Sequence, residues 1–202
     1  MAHSDFRRKA ARRTINNKVL ILCSGLTEKK YFDHIKRKYN DALVKITVEI
    51  EEHKRGNPIA IVDRAVAERD RYLEIWCVFD RDEFPDFDDA IKKADAYYNI
   101  SCAFSNEAIE YWFLLHYENL TKALTRKQLN ELLQRELGFP YKKDLNSIAR
   151  LCRELDKCDL SKAEQRAQAG HERHIRDSGE LYSYWCSCTT VYMLTKRLRK
   201  WG

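Results

Sequence analysis

The sequence predicts an α/β fold on a mainly parallel sheet, followed by a helical C-terminal region. Three observations carry that prediction. The runs KVLILC (18–23), IWCVF (75–79) and ISCAF (100–104) are almost wholly apolar, as strands buried on both faces are. Segments of helical spacing follow each of them. From residue 121 onward the periodicity is helical only. The resulting order over 18–117, β-α-β-α-β-α-β-α, is that of a sheet flanked by helices.

Taken in order, residues 1–17 come first. The stretch FRRKAARRTINNK holds six basic residues, no acid and few large apolar groups, so 1–17 reads as a flexible basic arm. Such an arm serves either as a solubilising tail or as a nucleic-acid-binding extension. The strand 18–23 passes through Ser24-Gly25-Leu26-Thr27-Glu28 into a helix over 27–39, where Tyr31, Phe32, Ile35 and Tyr39 share one face. Residues 44–50 (VKITVEI) alternate and predict a half-exposed strand. Gly56-Asn57-Pro58 is a loop, and Pro58 opens a helix over 59–73. The strand 75–79 stops abruptly in Asp80-Arg81-Asp82-Glu83. Phe84-Pro85-Asp86 is a loop, with Asp86 as the cap of a helix over 87–98. After the strand 100–104 and a turn at Ser105-Asn106, EAIEYWFLLHY (107–117) is apolar on most sides and predicts a core helix. Helices follow over 125–137 (ended by Gly138 and Pro140), 144–156, 160–169 and about 187–200. The chain thus divides into an arm (1–17), an α/β core (18–120) and a helical region packed on it (121–202).

With 202 residues, 44% hydrophobic and 34% charged, the chain suits one soluble domain or one domain with an appendage. A net charge of +6 permits a polyanionic partner. Seven cysteines, an odd number without a paired framework, predict free thiols in a reducing cytosol, with Cys23, Cys77 and Cys102 as core fillers. The spacing of Cys152, Cys158, Cys186 and Cys188, with His171 or His174, is irregular for a zinc site. No apolar run approaches the ~20 residues of a membrane span, and no signal-peptide pattern opens the chain. A cytoplasmic protein with no membrane partner is expected.

In an open parallel sheet the functional crevice lies at the carboxyl ends of the strands. The first end carries Gly25, Thr27 and Glu28, the second Asp80-Arg81-Asp82-Glu83, the third Ser105, Asn106 and Glu110. The first turn fits neither a P-loop, which needs Gly-Lys-Ser/Thr, nor a dinucleotide fingerprint, which needs more glycines than Gly25. If the strand stays extended past Asp80, Asp82 falls on the same side. Two such carboxylates repel unless a cation lies between them, and hard oxygen donors suit Mg²⁺ or Mn²⁺. Glu28 on the neighbouring turn extends the pair to a triad. The plain alternative is a solvated loop in which Arg81 pairs its neighbours.

Gly25-Thr27-Glu28-Tyr31-Phe32, then Asp80-Arg81-Asp82-Glu83, then Ser105-Asn106-Glu110-Trp112-His116 resemble, in order, three motifs of the RloB-like family. KAEQRA (162–167) and TTVYMLTKRL (189–198) resemble its later segments. The resemblance implies a TOPRIM-like fold, in which a glutamate after the first strand and an Asp-x-Asp after a later one bind Mg²⁺. It implies a setting in restriction and phage defence, often beside an AAA-type ATPase. Two departures stand out: Ser24 replaces an acid common in the family, and Ser187-Cys188-Thr189-Thr190 replaces Asn-Pro-Ser-Thr.

The implied activity is phosphodiester hydrolysis by a Mg²⁺- or Mn²⁺-dependent nuclease acting on DNA or RNA. Asp80 and Asp82 would hold the metal, and Glu28 would ligate it or act as general acid or base. Lys29, Lys30, Arg81 and the arm would grip flanking phosphates. About 100 further residues hardly supply the gate and tyrosine of a topoisomerase or the polymerase module of a primase. Gly25, Thr27, Glu83, Asn106, Glu110 and His116 would support the site. Glu110 either joins or buttresses the metal site, or pairs with an arginine such as Arg166. His116 reads as a catalytic group or, more simply, a satisfied core histidine. A non-catalytic nucleic-acid- or nucleotide-binding subunit is the first competing reading, a phosphotransfer or regulatory module of another kind the second, and the oligomeric state is left open.

Overall fold

The computed structural model describes residues 17–39, 46–53, 57–177, 179 and 181–201. The basic arm lies outside the described residues, apart from Asn17, as do residues 44, 45 and Gly56 of the predicted second strand and loop.

Among the described residues, five strands form one sheet in the order β2-β1-β3-β4-β5. They are β1 (Lys18–Cys23), β2 (Thr47–Glu52), β3 (Glu74–Asp80), β4 (Ile100–Asn106) and β5 (Cys188–Thr189). The first four run parallel, and β5 pairs antiparallel with the end of β4. Among the described residues, eight α-helices accompany them. They are α1 (Leu26–Lys38), α2 (Pro58–Glu68), α3 (Phe87–Asp95), α4 (Glu110–Leu114), α5 (Arg126–Leu137), α6 (Leu145–Leu155), α7 (Leu160–Asp177) and α8 (Val191–Lys200).

The apolar runs are continuous because successive side chains serve different cores. Val19, Ile21, Trp76, Val78 and Ala103 face one core, with Tyr31, Phe32, Trp112 and the helices of the C-terminal half. Leu20, Leu22, Ile75, Cys77, Phe79 and Phe104 face the other, with Ile61 and Val62 of α2 and Phe87 and Ile91 of α3. Cys23 and Cys77 are buried as expected, whereas Cys102 is only partly covered. Among the described residues no helix is long and apolar enough to cross a membrane.

Four local expectations are corrected. Asp86 occupies the N-cap position of α3 but makes no capping bond; its Oδ2 accepts instead from Asn57 Nδ2 at 3.4 Å. The core helix predicted over 107–117 is the shorter α4. Helix α7 runs through Gly170 to Asp177, because the small residues Ala163, Ala167 and Gly170 continue its buried stripe. The C-terminal half is not wholly helical, since β5 closes the edge of β4. Two residues are too short a strand to show a period.

That closure rests on side chains as much as on the ladder. Thr190 Oγ1 accepts from Phe104 N at 2.9 Å and donates to Cys102 O at 3.1 Å. Thr189 Oγ1 donates to Phe104 O at 2.9 Å, and Ser105 Oγ lies at the same distance from it. The segment 187–190 therefore satisfies an otherwise bare strand edge. Thr190→Val leaves the buried Phe104 N–H without its acceptor and is expected to cost about 1–3 kcal/mol in urea unfolding. An unchanged midpoint would show that the ladder alone holds the edge.

Candidate functional site

The strand order reverses between β1 and β3, β1 leading outward to β2 and β3 toward β4. A crevice opens at the carboxyl ends of the two strands flanking such a reversal. Here those ends carry Ser24–Glu28 and Asp80–Asp82, adjacent because Ser24 N donates to Val78 O at 2.8 Å. A cavity of about 220 Å³ at this point is lined by Ser24, Gly25, Thr27, Glu28, Asp80, Asp82, Phe84, Arg126 and Lys143, among others.

Glu28 sits in the first turn of α1, where the exposed N–H groups of the helix favour an anion. It is nonetheless 5% exposed. Burial pushes its carboxyl up, and nearby Glu110 pushes the same way; the Glu28 backbone N–H, Lys143 and Ser24 oppose them. Ser24 Oγ donates to Glu28 Oε1 at 3.4 Å. Ser24 thus presents a donor to the carboxylate. Gly25 leaves room for the same carboxylate, since a Cβ there would lie 3.0 Å from Glu28 Oε2.

Asp80 ends β3 and is buried. Burial pushes its carboxyl well up, Glu28 and Glu110 add to this, and Lys143 and Arg126 oppose it. Three carboxyls from separate elements therefore lie close enough to repel. Asp82 does not continue the strand. Its φ of 43° is left-handed, so the chain turns instead of staying extended. Arg126 Nη2 reaches Asp80 Oδ2 at 3.4 Å and also pairs with Asp82. The turn thus brings both aspartates to one guanidinium, by a route other than strand periodicity.

Glu110 opens α4 at 2% exposure. Its partner is Lys143, Nζ to Oε1 at 3.2 Å, and not Arg166, which donates to Leu115 O at 2.7 Å. Its Oε2 is buried without a hydrogen-bond partner among the described residues. Arg126 and Lys143 were invisible to motif reading. Both come from the helical half, from the first residue of α5 and the loop before α6. The only local signal was the Thr125–Gln128 capping box that starts α5.

The remaining candidates separate into two groups. Thr27 lines the cavity; Arg81 and Glu83 line a neighbouring one of about 720 Å³ with Asp82, Phe84, Pro85, Glu107 and Arg126. Lys29 pairs along α1 with Asp33 at 3.0 Å, and Lys30 lies half-buried beside it. Asn106 is fully buried, its amide donating to Tyr182 O and Ser183 O at 3.3 and 3.2 Å. It ties the C-terminal segment to β4.

His116 lies beyond the far end of α4, with Nδ1 3.1 Å from Trp112 O and its ring edge-on to Trp112. Burial lowers its pKa to about 4 from the ordinary 6.5. A lowered histidine pKa gives stability that is complete above the unfolded value and lost as the pH falls through the folded one. The wild-type chain is expected to lose about 3 kcal/mol from this group between pH 6.5 and 4. His116→Gln should flatten that slope in urea unfolding at stepped pH, and an unaltered slope would assign it elsewhere.

Among the described residues, no group of three or more His, Cys, Asp or Glu side chains is arranged to hold a metal ion. The carboxylates are spread around Arg126 and Lys143. Fold and site together define an α/β protein with an acidic cluster at the switch point of a mainly parallel sheet. The chain matches the family model described as RloB-like protein over residues 19–198 and belongs to that family. Searches of curated proteins and of solved structures returned no match.

Proposed function

We propose that this chain is a divalent-metal-dependent nuclease with a TOPRIM-like core, acting in the cytoplasm on DNA or RNA in phage defence beside an AAA-type ATPase. The observation that carries the reading is the meeting of Glu28 and Asp80, two buried carboxylates on adjacent strand ends, with Asp82 beside them. The donor set is all oxygen, it repels itself, and Glu110 Oε2 has no partner; each feature suits Mg²⁺ or Mn²⁺. Glu28, Asp80 and Asp82, spread around Arg126 as they stand, would draw together to hold the ion. When bound, it supplies charge neutralisation at the phosphoryl oxygens and a more acidic water. Glu28, steadied by Ser24 and the first turn of α1, completes the ligand set or takes the proton of the attacking water. Arg81, which lines the neighbouring cavity, would receive a flanking phosphate.

Incubation with Mg²⁺ or Mn²⁺ and a panel of tRNA, single-stranded and duplex substrates tests this, alone and with the ATPase. Cleavage by wild type and none by Glu28→Gln or Asp80→Ala is the expected result. Cleavage that survives both substitutions removes the site. A non-catalytic nucleic-acid-binding subunit is the second reading, favoured by Arg126 and Lys143, which already pair three of the carboxylates. Strand binding without cleavage, even with the ATPase, would select it.

A further inference from the structure

We propose that Arg126 is the cation a bound metal displaces, and that the freed guanidinium joins Arg81 to form a phosphate subsite in the neighbouring cavity. The inference rests on the metal reading above and assigns a residue to it from outside the three motifs. Arg126 lines both cavities, the one of about 220 Å³ that holds the carboxylates and the one of about 720 Å³ that holds Arg81. It bridges Asp80 and Asp82, which is the ground a divalent ion would take. Glu110 Oε2, buried and unpartnered, indicates independently that the acidic cluster has more acceptor capacity than Arg126 and Lys143 satisfy.

The backbone under Arg126 is fixed, whereas its side chain reaches solvent. Its N–H donates to Glu107 Oε2 at 3.2 Å, and the Thr125–Gln128 capping box locks the turn around it. The side chain is 41% exposed. As the first residue of α5, Arg126 places a cation at the helix end that disfavours one, so an anionic partner is needed to keep it there. Exchange of the guanidinium for a divalent ion leaves the two aspartates neutralised and the guanidinium in want of an anion. A phosphodiester supplies it, with two oxygens matched to the guanidinium fork.

The larger cavity suits that ligand. Arg81 is held at its rim by its own N–H, which donates to Ser105 O at 2.9 Å. Phe84 and Pro85 provide an apolar wall for a base or sugar. Of the acids there, Asp82 would belong to the metal and Glu107 is engaged by the start of α5, which leaves Glu83 exposed at the edge. The ligand class is a single-stranded nucleic acid, bound through the phosphate beside the one attacked.

Two binding measurements on the full chain test the inference without cleavage. The first is Mn²⁺ affinity, from the electron paramagnetic resonance of the free ion. The second is the anisotropy of a short fluorescein-labelled single strand, RNA and DNA, in the presence of Ca²⁺. Arg126→Gln is expected to bind Mn²⁺ about threefold or more tightly and the strand about tenfold more weakly. Arg126→Lys should keep wild-type Mn²⁺ affinity and lose part of the strand affinity, because an ammonium competes as a charge but lacks the fork. Arg81→Gln should weaken strand binding with Mn²⁺ affinity unchanged. If wild type binds Mn²⁺ and Arg126→Gln alters neither affinity, or weakens Mn²⁺ binding, the inference is overturned while the metal reading stands. If neither wild type nor Arg126→Gln binds Mn²⁺, the metal reading fails and the inference with it.

Discussion

Asp80→Asn is expected to reduce metal-dependent cleavage at least about a hundredfold and, in EDTA, to raise the melting temperature above that of wild type. The two effects have one source. Burial, and then Glu28 and Glu110, push the Asp80 carboxyl up, so ionising it costs more in the folded chain than in the unfolded one. Asparagine removes that anion while leaving Arg126 its pairing with Asp82. A gain on the order of 1 kcal/mol corresponds to about 2–4 °C for a chain of this size. The sign follows from the raised pKa. The ionisation penalty is absent where Asp80 is protonated in both states and grows as the pH rises above the ordinary aspartate range. The gain should therefore be largest at neutral pH and vanish in acid. Melting curves across pH check this, and a wild-type chain more stable than Asp80→Asn in EDTA would mean that Arg126 already balances the charge.

The second large effect falls on Trp112. Its indole Nε1 donates to Tyr31 Oη at 2.8 Å, and both side chains are buried. Tyr31 lies one turn past Glu28 on α1, and Trp112 lies two residues past Glu110 on α4. The bond therefore fixes the two acid-bearing helices to one another, with Phe113 packed edge-on against Tyr31. Trp112→Phe leaves a void and a buried hydroxyl without its donor, at an expected cost of about 2–4 kcal/mol in urea unfolding. Mn²⁺ affinity should fall with it, because Glu28 and Glu110 lose their common brace. Tyr31→Phe should cost less, and the double variant should be less destabilised than the sum. A cost under about 1 kcal/mol for Trp112→Phe, with unchanged Mn²⁺ affinity, would refute the brace.

Much of this was legible before the fold was known. The strand Lys18–Cys23 has the bounds its apolar run indicated. Glu28 and Asp80 could be named because acids at the end of a buried strand, or in the turn that leaves it, interrupt a strong local pattern. Asp82 was named for the right neighbourhood by the wrong geometry, since a left-handed residue leaves no trace in hydrophobic period. The pairing of Glu110 with Lys143, and not Arg166, depends on where a loop 33 residues away comes to rest.

The sequence by itself determined the alternation of strand and helix, the family, and which carboxylates stand at strand ends. Those features are local: they follow from runs of apolar side chains and from short motifs read in order. Only the tertiary structure decided that β1 and β3 are neighbours, that Glu28 and Asp80 share one cavity, and that Arg126 and Lys143 stand between the acids. Contacts between elements far apart in the chain are set by how helices pack on a sheet. A lone arginine at the start of a surface helix carries no mark of the charge it will meet there.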